Sequence, residues 1–271
     1  MKINFPLLAL AVGAFAIGTT EFSPMGFLPE IANDLSVSIP QAGLLISAYA
    51  VGVMIGAPLM TLWLARFPKK TALILLMAIF TIGNVLATVA PDYMSLMGAR
   101  LITSLNHGAF FGLGSVVAAS VVPKDKQASA VAMMFMGLTI ANIGGVPLAT
   151  WLSQNTSWRM AFAAISILGI MTMLALWKAL PQDHDVVKPN VAKELRVLTR
   201  APVVLALLTT VMSAGAMFAL YTYIAPSLHV FMQASPQTIT LMLVLTGIGF
   251  SIGNHLGGKF ADLSLEKTLI G

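Results

Sequence analysis

Eight apolar runs, most of twenty residues or more, dominate the chain and leave it one environment in which to fold. A helix rises about 1.5 Å per residue, so roughly 20 apolar residues cross the ~30 Å of hydrocarbon in a bilayer. The runs lie near residues 5–28, 40–64, 71–90, 94–118, 127–150, 158–179, 203–228 and 236–260. Hydrophobic residues make up 58% of the chain and charged ones 9%, too few to coat a water-soluble domain of 271 residues. The expected class is all-α, a polytopic bundle of membrane helices with the lipid bilayer as its first partner. The first run, continuous from about Phe5 to Leu28, is too long for the apolar core of a cleaved signal peptide.

Charge sets the orientation. Lys2, Arg66, Lys69, Lys70, Lys124, Lys126, Lys178, Lys188, Lys193, Arg196, Arg200, Lys259 and Lys267 fall on one side when the runs alternate. The other side carries Glu30, Asp34 and Asp92, with Arg159 as its one basic residue. Basic loops stay in the cytoplasm, so both termini are expected there. This placement also explains the net charge of +5 without a nucleic-acid partner. The chain has no Cys, which excludes disulfides and thiolate sites, and its four His are too dispersed to suggest a metal cluster.

The segment from Gly52, GVMIGAPLMTLWLARFPKKTAL, aligns without a gap to that from Gly249, GFSIGNHLGGKFADLSLEKTLI, at an offset of 197 residues. Gly52, Ile55, Gly56, Leu59, Lys70 and Thr71 recur as Gly249, Ile252, Gly253, Leu256, Lys267 and Thr268. Span 8 then repeats span 2, and the period is six spans. An even period implies parallel halves related about an axis along the membrane normal. The expected division is a six-helix bundle over 1–180, a cytoplasmic linker over 181–201, and two helices of a second, incomplete bundle over 202–271. Within the linker, VAKELRVLTR suits either a helix on the membrane surface or a solvated connection.

Charges inside apolar runs are expensive and direct attention to function. Glu21 in span 1 and Arg100 in span 4 fall at similar depths in the outer half, so an ion pair between them is expected. The pair could clamp the bundle or serve binding and gating, and either residue could instead snorkel to the interface. Ser104 and His107 follow Arg100 on one helical face. Histidine exchanges protons near neutral pH, which makes the three a polar stripe on a water-filled path. A His107 hydrogen-bonded to a neighbouring helix is the structural alternative. Tyr221 and Tyr223 are two residues apart, so at most one faces a cavity squarely. In span 5, Gly137, Ala141 and Gly145 share a face that admits a close helix, while Asn142 and Gly144 beside Pro147 should loosen the helix there. That face reads either as plain packing or as a hinge or sliding contact.

Neither a paired-carboxylate motif, a phosphate-binding Gly-rich loop nor HExxH is present, so no enzyme and no cofactor are expected.

GTTEFSPMGFLPEIANDLSVSIPQAGLLISAYAVGVMIGAP, RLITSLNHGAFFG and GLTIANIGGVPLATWLSQNTSWRMAF together resemble the arabinose-efflux-permease-like, drug-exporter branch of the major facilitator superfamily, along essentially the whole chain. The resemblance implies a bacterial inner-membrane transporter of two six-span bundles that exports a small solute, a sugar or drug, by alternating access in exchange for H+. Arg100 matches the buried Arg that this family associates with proton transfer, with Ser104 in place of a Gly. Gly137, Ala141, Asn142, Gly144 and Gly145 resemble the exporter signature of span 5. The family's cytoplasmic latch, Gly-x-x-x-Asp-Arg-x-Gly-Arg-Arg, keeps Arg66, Lys69 and Lys70 after span 2 but has Ala65 at the Asp. Its copy after span 8 keeps Gly258 and Asp262. The family fold needs about four more spans after Gly271, so the chain resembles a C-terminally truncated transporter, monomeric when completed. A non-transporting membrane fragment and, more distantly, a channel are the alternatives.

Overall fold

The Asn4 side chain accepts a hydrogen bond from the Leu7 N–H at 3.3 Å and starts the first helix, with Pro6 in its opening turn. The computed structural model describes residues 4–181 and 199–263, without the side chains of 254–255 and 257–263. Among the described residues all regular structure is helical, and eight helices are long and apolar enough to cross a membrane. Span 1 is Phe5–Gly26, span 2 Ile39–Leu64, span 3 Lys69–Thr88 and span 4 Tyr93–Ser120. Span 5 is Lys124–Asn155, span 6 Trp158–Ala179, span 7 Ala201–Thr222 and span 8 Pro236–Leu263.

Local chemistry sets the boundaries. Ser38 and Gln41 form a reciprocal capping box before span 2, Asp92 caps span 4 and Ser157 caps span 6. Span 1 stops two residues before the expected Leu28, because Pro29 has no N–H for the Met25 carbonyl; a short helix, Leu28–Asp34, follows. Pro226 likewise ends span 7 at Thr222 rather than near 228, and a second short helix runs Ile224–Met232. Span 4 is not one continuous helix. Tyr93–Ser104 and His107–Ser120 meet at a turn through Leu105 and Asn106.

Spans 1 to 6 share one apolar cluster in which Leu10, Ile17, Leu73, Phe80, Phe110 and Phe162 are fully buried. Glycines bring its helices together. A Cβ on Gly137 would strike the Ala11 carbonyl and Phe15 N–H of span 1, and one on Gly56 would strike the Leu105 backbone of span 4. Thr20 of span 1 donates to Asn84 Oδ1 of span 3 at 2.7 Å, which satisfies two buried polar groups at once.

A second cluster, containing Met25, Ala42, Val146, Tyr221 and Leu243, joins spans 7 and 8 to spans 1, 2 and 5. It lies toward the end of the molecule marked by Gly26. None of residues 201–220 is buried, whereas Tyr221, Thr222 and Ala225 are. Span 7 therefore parts from the first six spans toward the end marked by Phe5, and a cleft opens there.

Candidate functional site

Four polar side chains from three spans converge beside this cleft. His107 begins the second segment of span 4, immediately after the turn at Asn106. Its Nε2 lies 3.9 Å from Glu21 Oε2 of span 1. Its Nδ1 lies 3.1 Å from the Tyr49 hydroxyl of span 2. The Tyr49 ring in turn supports the Arg100 guanidinium, whose Cζ is 4.2 Å from the ring centroid.

Arg100 is 1% exposed. It does not meet Glu21 in the expected ion pair. Its Nη1 donates to the Thr20 backbone carbonyl at 2.9 Å, while Nε and Nη2 are buried without a hydrogen-bond partner. The expected pairing assumed that equal depth means contact. Here the Tyr49 ring occupies one face of the guanidinium and His107 stands next to the Glu21 carboxylate.

A histidine between a carboxylate and a phenol has a particular chemical capacity. In the neutral ring one nitrogen donates and the other accepts. With a proton on Nε2, the ring points a donor toward Glu21 and accepts from Tyr49; with a proton on Nδ1, both directions reverse. Glu21 and His107 can thus exchange a proton through a small shift in separation, and the Tyr49 hydroxyl follows the tautomer.

The polar stripe proposed for span 4 divides at its middle member. Ser104 is fully buried, donates to the Leu101 carbonyl at 2.7 Å and packs on Gly52 of span 2. It serves the contact between spans 2 and 4 and does not line the cleft. Tyr49, which sequence reasoning missed, connects Arg100 to His107 instead. A lone Tyr in an apolar run gave no signal of its own.

In span 5 the expected loosening takes the form of a π-helical turn over Ala141–Gly145. Pro147 cannot donate to the Ile143 carbonyl, and the wider turn absorbs that lost bond. Asn142 donates to the Leu138 carbonyl at 3.1 Å, and its Oδ1 is buried without a partner. The face carrying Gly137, Ala141 and Gly145 packs on Ala11, Phe15, Gly18 and Thr19 of span 1. On another face, the Asn142 backbone meets Gly247 of span 8, and a Cβ on Gly144 would meet nothing within 4 Å. Tyr221 is 2% exposed, packs edge-on against Phe22 and Phe250, and buries its hydroxyl without a partner.

Of the latch residues, Arg66 donates to the Trp63 carbonyl at 2.8 Å and lies over the Trp63 ring. Lys70 donates to the Leu180 carbonyl at 2.8 Å, tying the start of span 3 to the end of span 6. Lys69 is its neighbour in the first turn of span 3. Gly258 and Asp262 belong to the helical backbone of span 8, and the Asp262 side chain lies outside the described residues.

At the Gly26 end, Arg159 pairs with Asp34 and donates to the Ala90 carbonyl at 2.9 Å, while Trp158 Nε1 donates to Asp34 at 3.0 Å. The Arg159 and Trp158 hydrogen bonds hold the Asp34 carboxyl below its usual range. Burial raises that of Glu30, against the opposing pull of a backbone hydrogen bond and of His229. Among the described residues no cluster of His, Asp and Glu is arranged to hold a metal ion.

Comparison with known proteins agrees with this architecture. The chain is 66% identical to the inner membrane transport protein YdhP of Escherichia coli K12 over all its 271 residues, which span 70% of that protein. It is 40% identical to the MFS-type transporter YtbD of Bacillus subtilis over 96% of this chain and 66% of that one. A crystal structure of a bacterial homologue of the human lysosomal transporter Spinster, inward-facing and unoccupied, superimposes with a TM-score of 0.77 at 18% identity. That match covers 95% of this chain and 62% of the solved one, and shows the shared fold. The sequence signature of the Major Facilitator Superfamily matches residues 10–270. The chain belongs to the major facilitator superfamily, a family of membrane transporters and not of enzymes.

Proposed function

We propose that the protein is a secondary active transporter of the bacterial inner membrane that exports a small solute in exchange for H+. The observation that carries this reading is the constellation of Glu21, His107, Tyr49 and Arg100 beside a cleft that is closed toward Gly26 and open toward Phe5. A proton site must reach water from alternate sides, and a cleft between two groups of helices allows it. The basic loops assign the open side to the cytoplasm, with both termini there. The arrangement then corresponds to an inward-facing state. Export as the direction is supported by the resemblance of the span 5 π-turn region to the exporter signature.

In this reading residues 1–180 act as one rocking bundle, 181–201 as the cytoplasmic linker, and 202–271 contribute to the opposing bundle. Arg100 fixes the electrostatics of the proton site through its charge, and Glu21 and His107 hold the exchanged proton. The π-turn at Asn142 is the contact about which spans 5 and 8 move. Arg66, Lys69, Lys70, Gly258 and Asp262 act at the cytoplasmic latch.

Everted membrane vesicles carrying the full-length protein test the reading. A pH gradient is imposed, monitored with a fluorescent weak base, and challenged with a panel of small solutes. At least one solute should partly collapse the gradient, and Glu21→Gln should abolish that response. Collapse by no solute in a broad panel, with the protein present in the membrane, would reject proton-coupled transport.

A further inference from the structure

Pro24 stands buried inside span 1, four residues after Thr20. In an α-helix the N–H of residue 24 would donate to the Thr20 carbonyl, but proline has no N–H and its ring crowds that oxygen. A carbonyl freed in this way inside a membrane needs a donor from elsewhere. Span 5 meets the same loss at Pro147 within its own backbone, by a wider turn. Span 1 stays α-helical through Pro24, and its donor comes from another helix: Arg100 Nη1 of span 4, 2.9 Å from the Thr20 oxygen. Resting on the proton-coupled reading, we infer that Pro24 is a positioning residue of the proton site: by opening the Thr20 carbonyl it anchors Arg100 to the backbone and keeps the guanidinium off Glu21.

A local donor for that carbonyl is at hand and does not take it. Serine hydroxyls in helices often donate to the carbonyl three residues back, as Ser104 does to Leu101 and Ser120 to Val117. Ser23 stands three residues after Thr20, yet its hydroxyl is buried without a partner. The open carbonyl is therefore served by the guanidinium and not from within span 1.

The anchor decides what Arg100 does with its charge. Among the described residues the Thr20 carbonyl is the one hydrogen-bond acceptor that Arg100 has, and Nε and Nη2 are buried without partners. A guanidinium released from the carbonyl gains most at a carboxylate, which can accept two parallel N–H bonds. Glu21 is the next residue after Thr20, and the Arg100 charge already bears on it. An ion pair there would hold the carboxylate in its charged form and compete with His107, whose Nε2 is 3.9 Å away. With Arg100 held on the backbone, Glu21 stays free to gain and lose a proton.

The test follows the Glu21 carboxyl itself, through the infrared band of its protonated form in pH titrations of the purified full-length protein, with Glu21→Gln to assign the band. Pro24→Ala restores the N–H, returns the Thr20 carbonyl to the helix and releases Arg100. The titration midpoint should then move toward acid by about one unit or more, as an opposite charge beside a carboxylate moves it. Pro24→Gly also restores the N–H and should shift the midpoint the same way, which guards against poor folding of either variant. Lactic acid at position 24, introduced by nonsense suppression, carries the alanine side chain with an ester oxygen in place of the N–H, so it should titrate like wild type. In Arg100→Gln there is no cation to release, and adding Pro24→Ala should leave the midpoint where Arg100→Gln alone puts it. The other titratable groups near Glu21 are His107 of span 4 and Tyr49 of span 2, with Tyr221 of span 7 packed on Phe22 beside it; these variants leave all three in place. An unmoved midpoint in folded Pro24→Ala or Pro24→Gly, an ester variant that shifts like Pro24→Ala, or a shift that persists without Arg100 would overturn the inference. None of these outcomes needs a transported solute. A pH gradient that no solute collapses in wild-type vesicles would fail the transporter reading, while the anchoring of Arg100 stands or falls on the titration.

Discussion

The Tyr49 hydroxyl of span 2 lies 3.1 Å from His107 Nδ1 of span 4, and the same ring carries the Arg100 guanidinium on its face. One side chain thus connects a titrating group to a permanent charge. Tyr49→Phe separates the two roles, because it deletes the hydroxyl and keeps the ring. It should shift the pH dependence of transport while leaving protein abundance unchanged. Tyr49→Leu, which also removes the support under Arg100, should lower flux about tenfold further. Identical pH profiles for wild type and Tyr49→Phe would remove Tyr49 from the proton path.

Arg100 should be the most sensitive of the buried residues. Lysine keeps the charge but loses the planar face that lies on Tyr49 and the fork that reaches the Thr20 carbonyl. Arg100→Lys should cut proton-driven flux by about tenfold or more at normal membrane abundance, as expected for a bond worth roughly 1.5 to 3 kcal/mol. Unimpaired flux would show that charge alone suffices there.

The contact at Asp34 predicts a pH dependence of stability. Arg159, then Trp158, holds the folded-state carboxyl below its ordinary value. A depressed carboxyl stabilises the fold above its unfolded pKa of about 4 and loses that contribution as pH falls through the lower folded value. Thermal melts should show Asp34→Asn less stable than wild type near neutral pH, with the difference shrinking below about pH 4. Its size should stay under about 1 kcal/mol, because the Asp34 side chain is 47% exposed and water screens the pair.

The glycines of span 5 should differ sharply. A Cβ on Gly137 collides with backbone atoms of Ala11 and Phe15, so Gly137→Leu must separate spans 1 and 5. A loss of at least about 1 to 3 kcal/mol, read as a lower melting temperature, is expected for such overpacking. Gly144→Ala, which meets nothing within 4 Å, should melt like wild type.

The helical class was legible because membrane crossing demands long apolar runs, and each expected run overlaps an observed span. The helix ends at Gly26 and Thr222 were less so, although Pro29 and Pro226 are visible in the sequence and account for both. At the site, Arg100, Glu21 and His107 stood out as polar groups in hydrocarbon. Their partners did not. Pairing by depth matched Glu21 to Arg100, but side-chain direction around three helices decides contact, and the turn at Asn106 set His107 beside Glu21. Tyr49 was hidden because an aromatic residue in an apolar run carries no sign of its polar end.

The most direct test compares flux driven by a pH gradient with solute exchange at equal pH in vesicles containing wild type or Glu21→Gln. Exchange needs only the alternating cleft, whereas driven flux also needs a proton carried on Glu21 and His107. Glu21→Gln should retain measurable exchange and lose acceleration by the gradient. Full acceleration by the gradient in Glu21→Gln would contradict the carriage of the proton on Glu21.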